Sequence, residues 1–350
     1  MRWENIARDI RNRIESGEFK TGDRLPSENE LVNIWKVSRM TAHRAMQELQ
    51  RERLVIRRRG KGTLVADRSA SRTGQVALLF QHKSNAFEVG YIIGIRSALS
   101  EECQLVFCNV EENPEREADY LSRLHKEVDG FICFPTGDVH NVPLMHSIIE
   151  SGTPLVCIDR VPDGLNADAV VTDNLGSSLE GLRYLVNAGH RRIAYVAEKC
   201  LYISAARERY EAFVQIMTEI GEQDPNKWVR WFPPAPEWEF VVQSLHDAFY
   251  RMMNEAEPPT AVFCVHDFFL AAVLEVCDRL GISVPNQLEM LSFCDYPTWT
   301  VRGSNKVNRL IQPTRLSGEK AAAILQSRMR GESFPIEVIR LPATFKPAEK

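Results

Sequence analysis

From residue 75 onward, short apolar runs recur between amphipathic stretches, and this alternation restricts the chain to a narrow set of folds. The runs are Val76–Phe80, Leu105–Val110, Gly130–Phe134, Leu155–Asp159, Ala169–Thr172, Arg192–Ala197, Val229–Phe232, Ala261–Val265, Met290–Cys294, and two late ones near Leu310 and Val338. Continuously apolar strands separated by helical segments predict an α/β fold with parallel sheets, because each strand buries both of its sides under helices. Eleven runs exceed what one such sheet usually holds, so two Rossmann-like lobes are expected.

The first 66 residues read differently. Trp3, Ile6, Ala7, Ile10 and Ile14 fall on one helix face, and Gly17 stops that helix. Ser27 can cap a second helix with Glu30 three residues on, a capping box, and Leu31, Ile34 and Trp35 supply its inner side. Ser38 can cap a third helix, with Met40, Ala45, Met46 and Leu49 as its expected inner residues. Leu54-Val55-Ile56 and Thr63-Leu64-Val65 read as a hairpin around the basic turn Arg57–Gly62. Three short helices and a hairpin predict a winged helix-turn-helix over residues 1–66, a linker over 67–74, and a two-lobed body over 75–350.

Charge follows the same division. Residues 1–72 carry 17 Lys/Arg against 10 Asp/Glu, whereas residues 73–350 carry 26 against 37. A basic head on an acidic body predicts that only the head meets a polyanion. The eight cysteines all lie between Cys103 and Cys294, without C-x-x-C or zinc-ligand spacing. Cys133, Cys157, Cys264 and Cys294 sit in apolar runs, where a thiol acts as a small hydrophobe. No metal or cofactor is expected. Without an apolar leader or a membrane-length apolar stretch, a cytoplasmic protein with no membrane partner is expected.

A helix that reads double-stranded DNA needs hydrogen-bond donors early along its exposed side. Ser38-Arg39-Met40-Thr41-Ala42-His43-Arg44 meets that need. Arg39 can fork onto guanine O6 and N7, Thr41 can reach a phosphate or base edge, and His43 and Arg44 lie one turn on. At the wing tip, Gly60-Lys61-Gly62 allows close backbone approach, with Lys61 for charge. The run Gly22-Asp23-Arg24-Leu25-Pro26-Ser27-Glu28-Asn29-Glu30-Leu31, then Val37–Thr41, then Gly60–Thr63, resembles the DNA-binding domain of the GntR family. The resemblance includes Arg24 and Ser38 in its motifs and puts Asn29, Arg39, Thr41, His43 and Gly62 at DNA-contacting positions. Asn29 and His43 depart from the arginine frequent at both, which alters the expected operator sequence rather than the binding itself.

In the body, polar residues follow apolar runs where parallel sheets collect ligands, at the carboxyl ends of strands. Gln81, Asp159, Arg160, Asp267 and Asp295 all sit there, although Asp159 and Asp295 can equally cap a following turn or helix. Carboxylates beside a guanidinium suit a polyol, whose hydroxyls both donate and accept. Phe87 and Trp238 can stack on the apolar face of a sugar ring, with Trp238 equally readable as a loop anchor. His190 and His266 read as structural, and Arg207 as a surface ion-pair partner. Val76–Phe80 with Ser84–Phe87, Pro154–Arg160, Val171–Asn174, Gly189–Ala194, Ala206–Arg209, Val265–Asp267 and Phe293–Asp295 resemble, in order and spacing, the effector domain of the LacI/GalR family. That resemblance implies a ligand-binding role for Arg209 and an acidic Glu88 where an aromatic residue is frequent. A GntR-type head on such a body is similar to the arabinose-repressor group, which implies a homodimeric repressor that binds operator DNA under control of a sugar. The other class to weigh is a sugar-processing α/β enzyme, since strand-end carboxylates can serve as acid and base. Yet the chain lacks G-x-S-x-G, a Walker loop, H-E-x-x-H and a dinucleotide fingerprint after its first strand.

Overall fold

The computed structural model describes residues 2–51, 54–58, 61–66, 73–81, 86–234, 236–294 and 304–349. Most of the expected linker, Arg59 and Gly60 at the wing tip, Ser84-Asn85 and Asp295 lie outside the described residues, as does the side chain of Phe87.

The head holds three helices, α1 (Arg2–Glu15), α2 (Glu28–Trp35) and α3 (Arg39–Arg51), followed by the antiparallel strands β1 (Val55–Arg58) and β2 (Gly62–Val65). The capping box forms as its spacing predicts: the Glu30 N–H donates to Ser27 Oγ, and the Ser27 N–H donates to the Glu30 carboxylate at 2.6 Å. Lys36 ends α2 in the left-handed conformation (φ +52°), turning the chain into α3. Ile6, Ile10, Leu25, Leu31, Ala42, Ala45, Met46, Leu49, Leu54 and Val65 close the head core. Ile34 of α2, expected on its inner side, does not join them, being 63% exposed, and neither does Met40. It is 80% exposed, because the inner stripe of α3 runs through 42, 45, 46 and 49, and position 40 falls off that stripe.

In the body, β3 (Gln75–Phe80), β4 (Gln104–Asn109), β5 (Gly130–Cys133), β6 (Leu155–Ile158), β7 (Asp168–Thr172) and β13 (Val338–Leu341) form one all-parallel sheet in the order 13-7-6-5-3-4. A second sheet, in the order 14-12-11-10-8-9, contains β8 (Ile193–Glu198), β9 (Val229–Phe232), β10 (Ala261–Cys264), β11 (Glu289–Cys294), β12 (Asn308–Ile311) and β14 (Thr344–Lys346). Only β14 runs antiparallel to its neighbour, and this three-residue strand is the one the apolar pattern does not announce. The first lobe also uses α4 (Ala86–Ala98), α5 (Pro114–Leu124), α6 (Val142–Glu150) and α11 (Thr314–Met329); the second uses α7 (Asn174–Asn187), α8 (Ser204–Glu219), α9 (Trp238–Met253) and α10 (Asp267–Leu280). Burial pushes the thiols of Cys133, Cys157 and Cys264 well up, so these cysteines serve as core side chains.

Helices α4 and α11 meet backbone to backbone. A Cβ at Gly94 would stand 2.0 Å from the Arg315 carbonyl oxygen, and one at Gly318 would stand 2.4 Å from that of Tyr91, so both positions require glycine. Three connections pass between the lobes: β7 into α7, β12 into α11, and β13 into β14. Side chains and backbone tie these connections together. Thr172 Oγ1 donates to Gln312 Oε1 at 2.9 Å, the Asp173 N–H to the Leu341 carbonyl at 2.8 Å, and the Ala343 N–H to Ser177 Oγ at 2.9 Å.

Candidate DNA-reading face and inter-lobe cleft

Helix α3 begins where Ser38 Oγ accepts the Thr41 N–H at 3.2 Å and pairs with the Thr41 hydroxyl at 2.8 Å. Of the two hydroxyls predicted to touch DNA, that of Ser38 therefore also caps the helix and that of Thr41 is paired with it. Arg39 stands exposed beside them. Arg44 lies one turn along, with its guanidinium 4.8 Å above the Trp3 ring of α1. His43 is held: its Nδ1 pairs at 2.8 Å with the Glu28 carboxylate, which also binds the Arg57 guanidinium of β1. Partial burial pushes the Glu28 carboxyl up, but hydrogen bonds to His43 and Arg57 and the Arg57 charge outweigh it and lower its pKa. Glu28 thus ties α2, the reading helix and the wing to one point, a role invisible while the sequence is read in separate segments. Asn29 is exposed on α2, and Lys61 is exposed at the wing. Gly62 adopts φ +84° with Arg24 packed across it; a Cβ there would lie 3.3 Å from Arg24 Nε. Arg24 and Gly62 are thereby neighbours on the wing.

The carboxyl ends of the two sheets face one another. Gly137, beyond β5, meets Tyr202 and Ile203, beyond β8, at ordinary contact distance for an added Cβ. Arg207 of α8 forks onto Asp163 beyond β6, at 2.9 and 3.2 Å. Arg340 of β13 binds Glu208 of α8 at 2.9 and 3.1 Å. Arg207 is thus the ion-pair partner its sequence setting suggested, but across the lobes rather than along a surface.

On the first-lobe wall, Gln81 is buried and its Nε2 donates to the Phe134 carbonyl, while its Oε1 has no protein partner among the described residues. Asp159 is 4% exposed and holds φ +67°, a conformation costly for a non-glycine residue and one that Asp tolerates better than most. Its carboxylate accepts from Arg160 Nε at 3.1 Å, and the Arg160 guanidinium lies 4.5 Å above the Phe134 ring. Glu88 is buried on α4. A second buried carboxylate, Glu117 of α5, anchors the neighbouring loop by accepting from the Thr136 N–H (2.8 Å), the Thr136 hydroxyl (2.9 Å) and Asn141 Nδ2 (2.7 Å). Burial pushes Glu117 up, and these three donors pull it back only in part.

On the second-lobe wall, Arg209 is 7% exposed. Its Nε donates to Asn174 Oδ1 at 2.9 Å, its Nη1 to the Val265 carbonyl at 2.7 Å, and its guanidinium stacks 3.9 Å from the Phe293 ring. Asp267 opens α10, where a carboxylate complements the helix dipole. Trp238 opens α9 with its ring 5.4 Å from Phe268, edge to face, so it is anchored in the second-lobe packing. His190 bridges Thr260 and Glu289 at 2.9 and 2.8 Å, a structural arrangement. His266 stacks on Phe269 at 4.8 Å and sits 4.0 Å from Glu198. Glu198 closes β8 just after the apolar run Arg192–Ala197, so the strand-end rule that selects Gln81 also selects it, although it is absent from the residues singled out above. Cys200, beyond β8, has its thiol raised to about 11 by burial and by the Glu198 charge, with Arg160 and Arg209 opposing in part. Gln81, Asp159, Arg160, Arg209 and Asp267 are thus positioned by strand ends and helix starts, whereas Asp295 and the Phe87 ring lie outside the described residues.

Residues 3–65 match the family of bacterial regulatory proteins of the gntR type, and residues 182–347 match the periplasmic binding protein-like domain. The chain resembles the arabinose metabolism transcriptional repressor of Geobacillus stearothermophilus, 23% identical over 340 residues that cover 93% of this chain and 90% of that one. It also resembles the transcriptional repressor PurR of Glaesserella parasuis serovar 5 (strain SH0165), 26% identical over 59% of this chain and 60% of that protein. Among solved structures, the transcriptional regulator CelR in complex with cellobiose superposes with a TM-score of 0.66 at 24% identity, covering 89% of this chain and 90% of that one. The regulator CcpA of Lactococcus lactis superposes with a TM-score of 0.66 at 18% identity, covering 79% and 98%. The chain therefore carries a GntR-type helix-turn-helix domain at residues 3–65 and a periplasmic binding protein-like domain at 182–347, in a two-lobed body that shares its fold with these regulators. Its relatives are named transcription regulators, not enzymes. No described helix is long and apolar enough to cross a membrane.

Proposed function

We propose that this protein is a transcriptional repressor whose grip on operator DNA is set by a polyol, a sugar by preference, held between the two body lobes. The observation that carries this reading is the pairing of two oriented guanidiniums on opposite walls, Arg160 over Phe134 and Arg209 over Phe293, amid the carboxylates Asp159, Glu198 and Asp267. Flat cations fixed on aromatic faces are held in orientation by those stacks and by bonds to Asp159, Asn174 and the Val265 carbonyl. The guanidinium N–H groups outside those bonds can donate to hydroxyls that the carboxylates accept from. In the head, Arg24, Asn29, Ser38, Arg39, Thr41, His43, Arg44, Lys61 and Gly62 form the DNA-facing set.

Two copies are needed to span a pseudo-palindromic operator. The face suited to pairing them is on the first lobe, where Val89 and Ile93 of α4 and Phe107 of the edge strand β4 are all exposed. Ligand binding would close the lobes about their three connections and alter the spacing of the two heads. It can do so only by favouring one state over the other. The cross-lobe pairs Arg207–Asp163 and Arg340–Glu208 are partly exposed ion pairs, each worth about 0–1 kcal/mol. Neither is strong enough to lock the cleft against a ligand.

The test is fluorescence anisotropy with the full-length protein and a duplex enriched from a random pool. Binding should weaken steeply with salt and fall further when the correct sugar, found by thermal-shift screening, is added. Absence of salt-dependent binding to any duplex would overturn the DNA-binding reading, and chemical turnover of the bound sugar would favour the enzyme instead.

A further inference from the structure

The reading helix carries an apolar side chain where a face that only gripped phosphates would have no use for one. Met40, the second residue of α3, is 80% exposed, whereas Ala42, Ala45, Met46 and Leu49 behind it are buried. Its polar neighbours are largely committed within the head. The Thr41 hydroxyl pairs with Ser38, His43 is bound by Glu28, and Arg44 covers Trp3. Arg39 and Met40 thus form the exposed leading tip of the helix, and no hydrogen bond or ion pair joins Arg39 to any described residue. Lys36 and Lys61 are also exposed on this small, basic domain, so the surroundings suit a polyanion rather than an apolar partner.

In the major groove one base-edge group is apolar, the C5-methyl of thymine, and the first residues of a recognition helix are those that reach base edges. Resting on the DNA-binding reading above, we propose that Met40 is a specificity-determining residue that packs against a thymine methyl, beside the base contacted by Arg39. The thioether is flexible and polarizable, which lets it follow the methyl group while the helix is held by its phosphate contacts. It offers phosphate no donor, so its contribution is to choice of sequence rather than to electrostatic grip.

The experiment uses the full-length protein and a duplex enriched from a random pool, in which each thymine is replaced in turn by deoxyuracil, deleting the methyl alone. One thymine in each half-site should lose roughly fourfold in affinity per methyl with the natural protein, the worth of one buried methyl group. Met40→Ala should bind the unmodified duplex with a comparable loss and be indifferent to uracil at that position, with an unchanged salt slope. Met40→Leu should restore the sensitivity. Uracil tolerated at every position by the natural protein, or equal uracil sensitivity in Met40→Ala, would overturn the proposal while leaving DNA binding intact. A smaller sedimenting species for Met40→Ala would also overturn it, by reassigning the side chain to contact between copies. Failure to bind any duplex would instead overturn the reading on which it rests.

Discussion

The DNA-reading head and the inter-lobe cleft solve the placement of polar side chains in opposite ways. In the head, Arg39, Asn29 and Lys61 project from a small core, and the Ser38 cap within α3 and the Glu28 clamp across α2, α3 and β1 fix the elements beneath them. In the cleft, Gln81, Asp159 and Arg209 are buried, and Gln81 and Arg209 are held by partners distant in sequence. A partner as large and as strongly charged as a duplex can be met by exposed cations, since its field does much of the work. A small neutral ligand can offer only hydrogen bonds, and these have value where water is excluded and the site is set in advance. Exposure therefore belongs to one site and enclosure to the other.

The largest effect that would break this contrast is at Arg209. Arg209→Ala should destabilise the body by about 2–4 kcal/mol in urea denaturation, because it opens a cavity and strips donors from Asn174 and the Val265 carbonyl. Ligand response should vanish while operator affinity persists. A variant as stable as the natural protein would show that the second-lobe wall is not pre-set. Next, Arg39→Ala should cost roughly 1–3 kcal/mol in operator binding, with relaxed specificity and unchanged stability. Undiminished affinity would remove it from the reading face.

A smaller effect sharpens the head side of the comparison. The lowered Glu28 carboxyl contributes stability that is fully present above its ordinary 4.5 and is lost as pH falls through the lowered folded value. Amide exchange in α2, α3 and the wing should therefore accelerate together below that pH. Glu28→Gln should abolish this step at a cost near neutral pH of about 1 kcal/mol or less. Exchange in the three elements that stayed independent would deny the clamp. The smallest effect is expected for Arg207→Ala, which removes one cross-lobe pair. Ligand affinity should move by less than about fivefold, in line with ~1 kcal/mol or less for an exposed pair. A change of a hundredfold would make that pair a lock and leave the contrast between the sites in need of revision.

How much could be read beforehand follows the same division. The capping box, the start of α3 and the wing strands are local patterns, and they form where their spacing predicts. Met40 was misplaced by its chemistry alone; its position against the 42-45-46-49 stripe already put it outside. In the body the sheet strands were legible because each is a continuous apolar run, apart from the three residues of β14. The cleft was legible only as a set of strand ends. What orients each residue, Asn174 for Arg209, Phe134 for Gln81, Glu117 for the Thr136 loop, lies 19 to 53 residues away, and no periodicity reports it.

The threefold passage of the backbone between the lobes has a consequence for how the molecule is made. The first sheet lacks its edge strand Val338–Leu341, and the helix packed on α4 is missing, until synthesis has passed through the whole second lobe's α7–α10 and β8–β12. A product cut short near residue 313 would lack a supporting helix and a strand in the half synthesised first, not merely a tail. The first-lobe wall of the cleft is therefore completed only once residue 341 has been made, and a chain interrupted before that point would carry the head beside an incomplete first sheet.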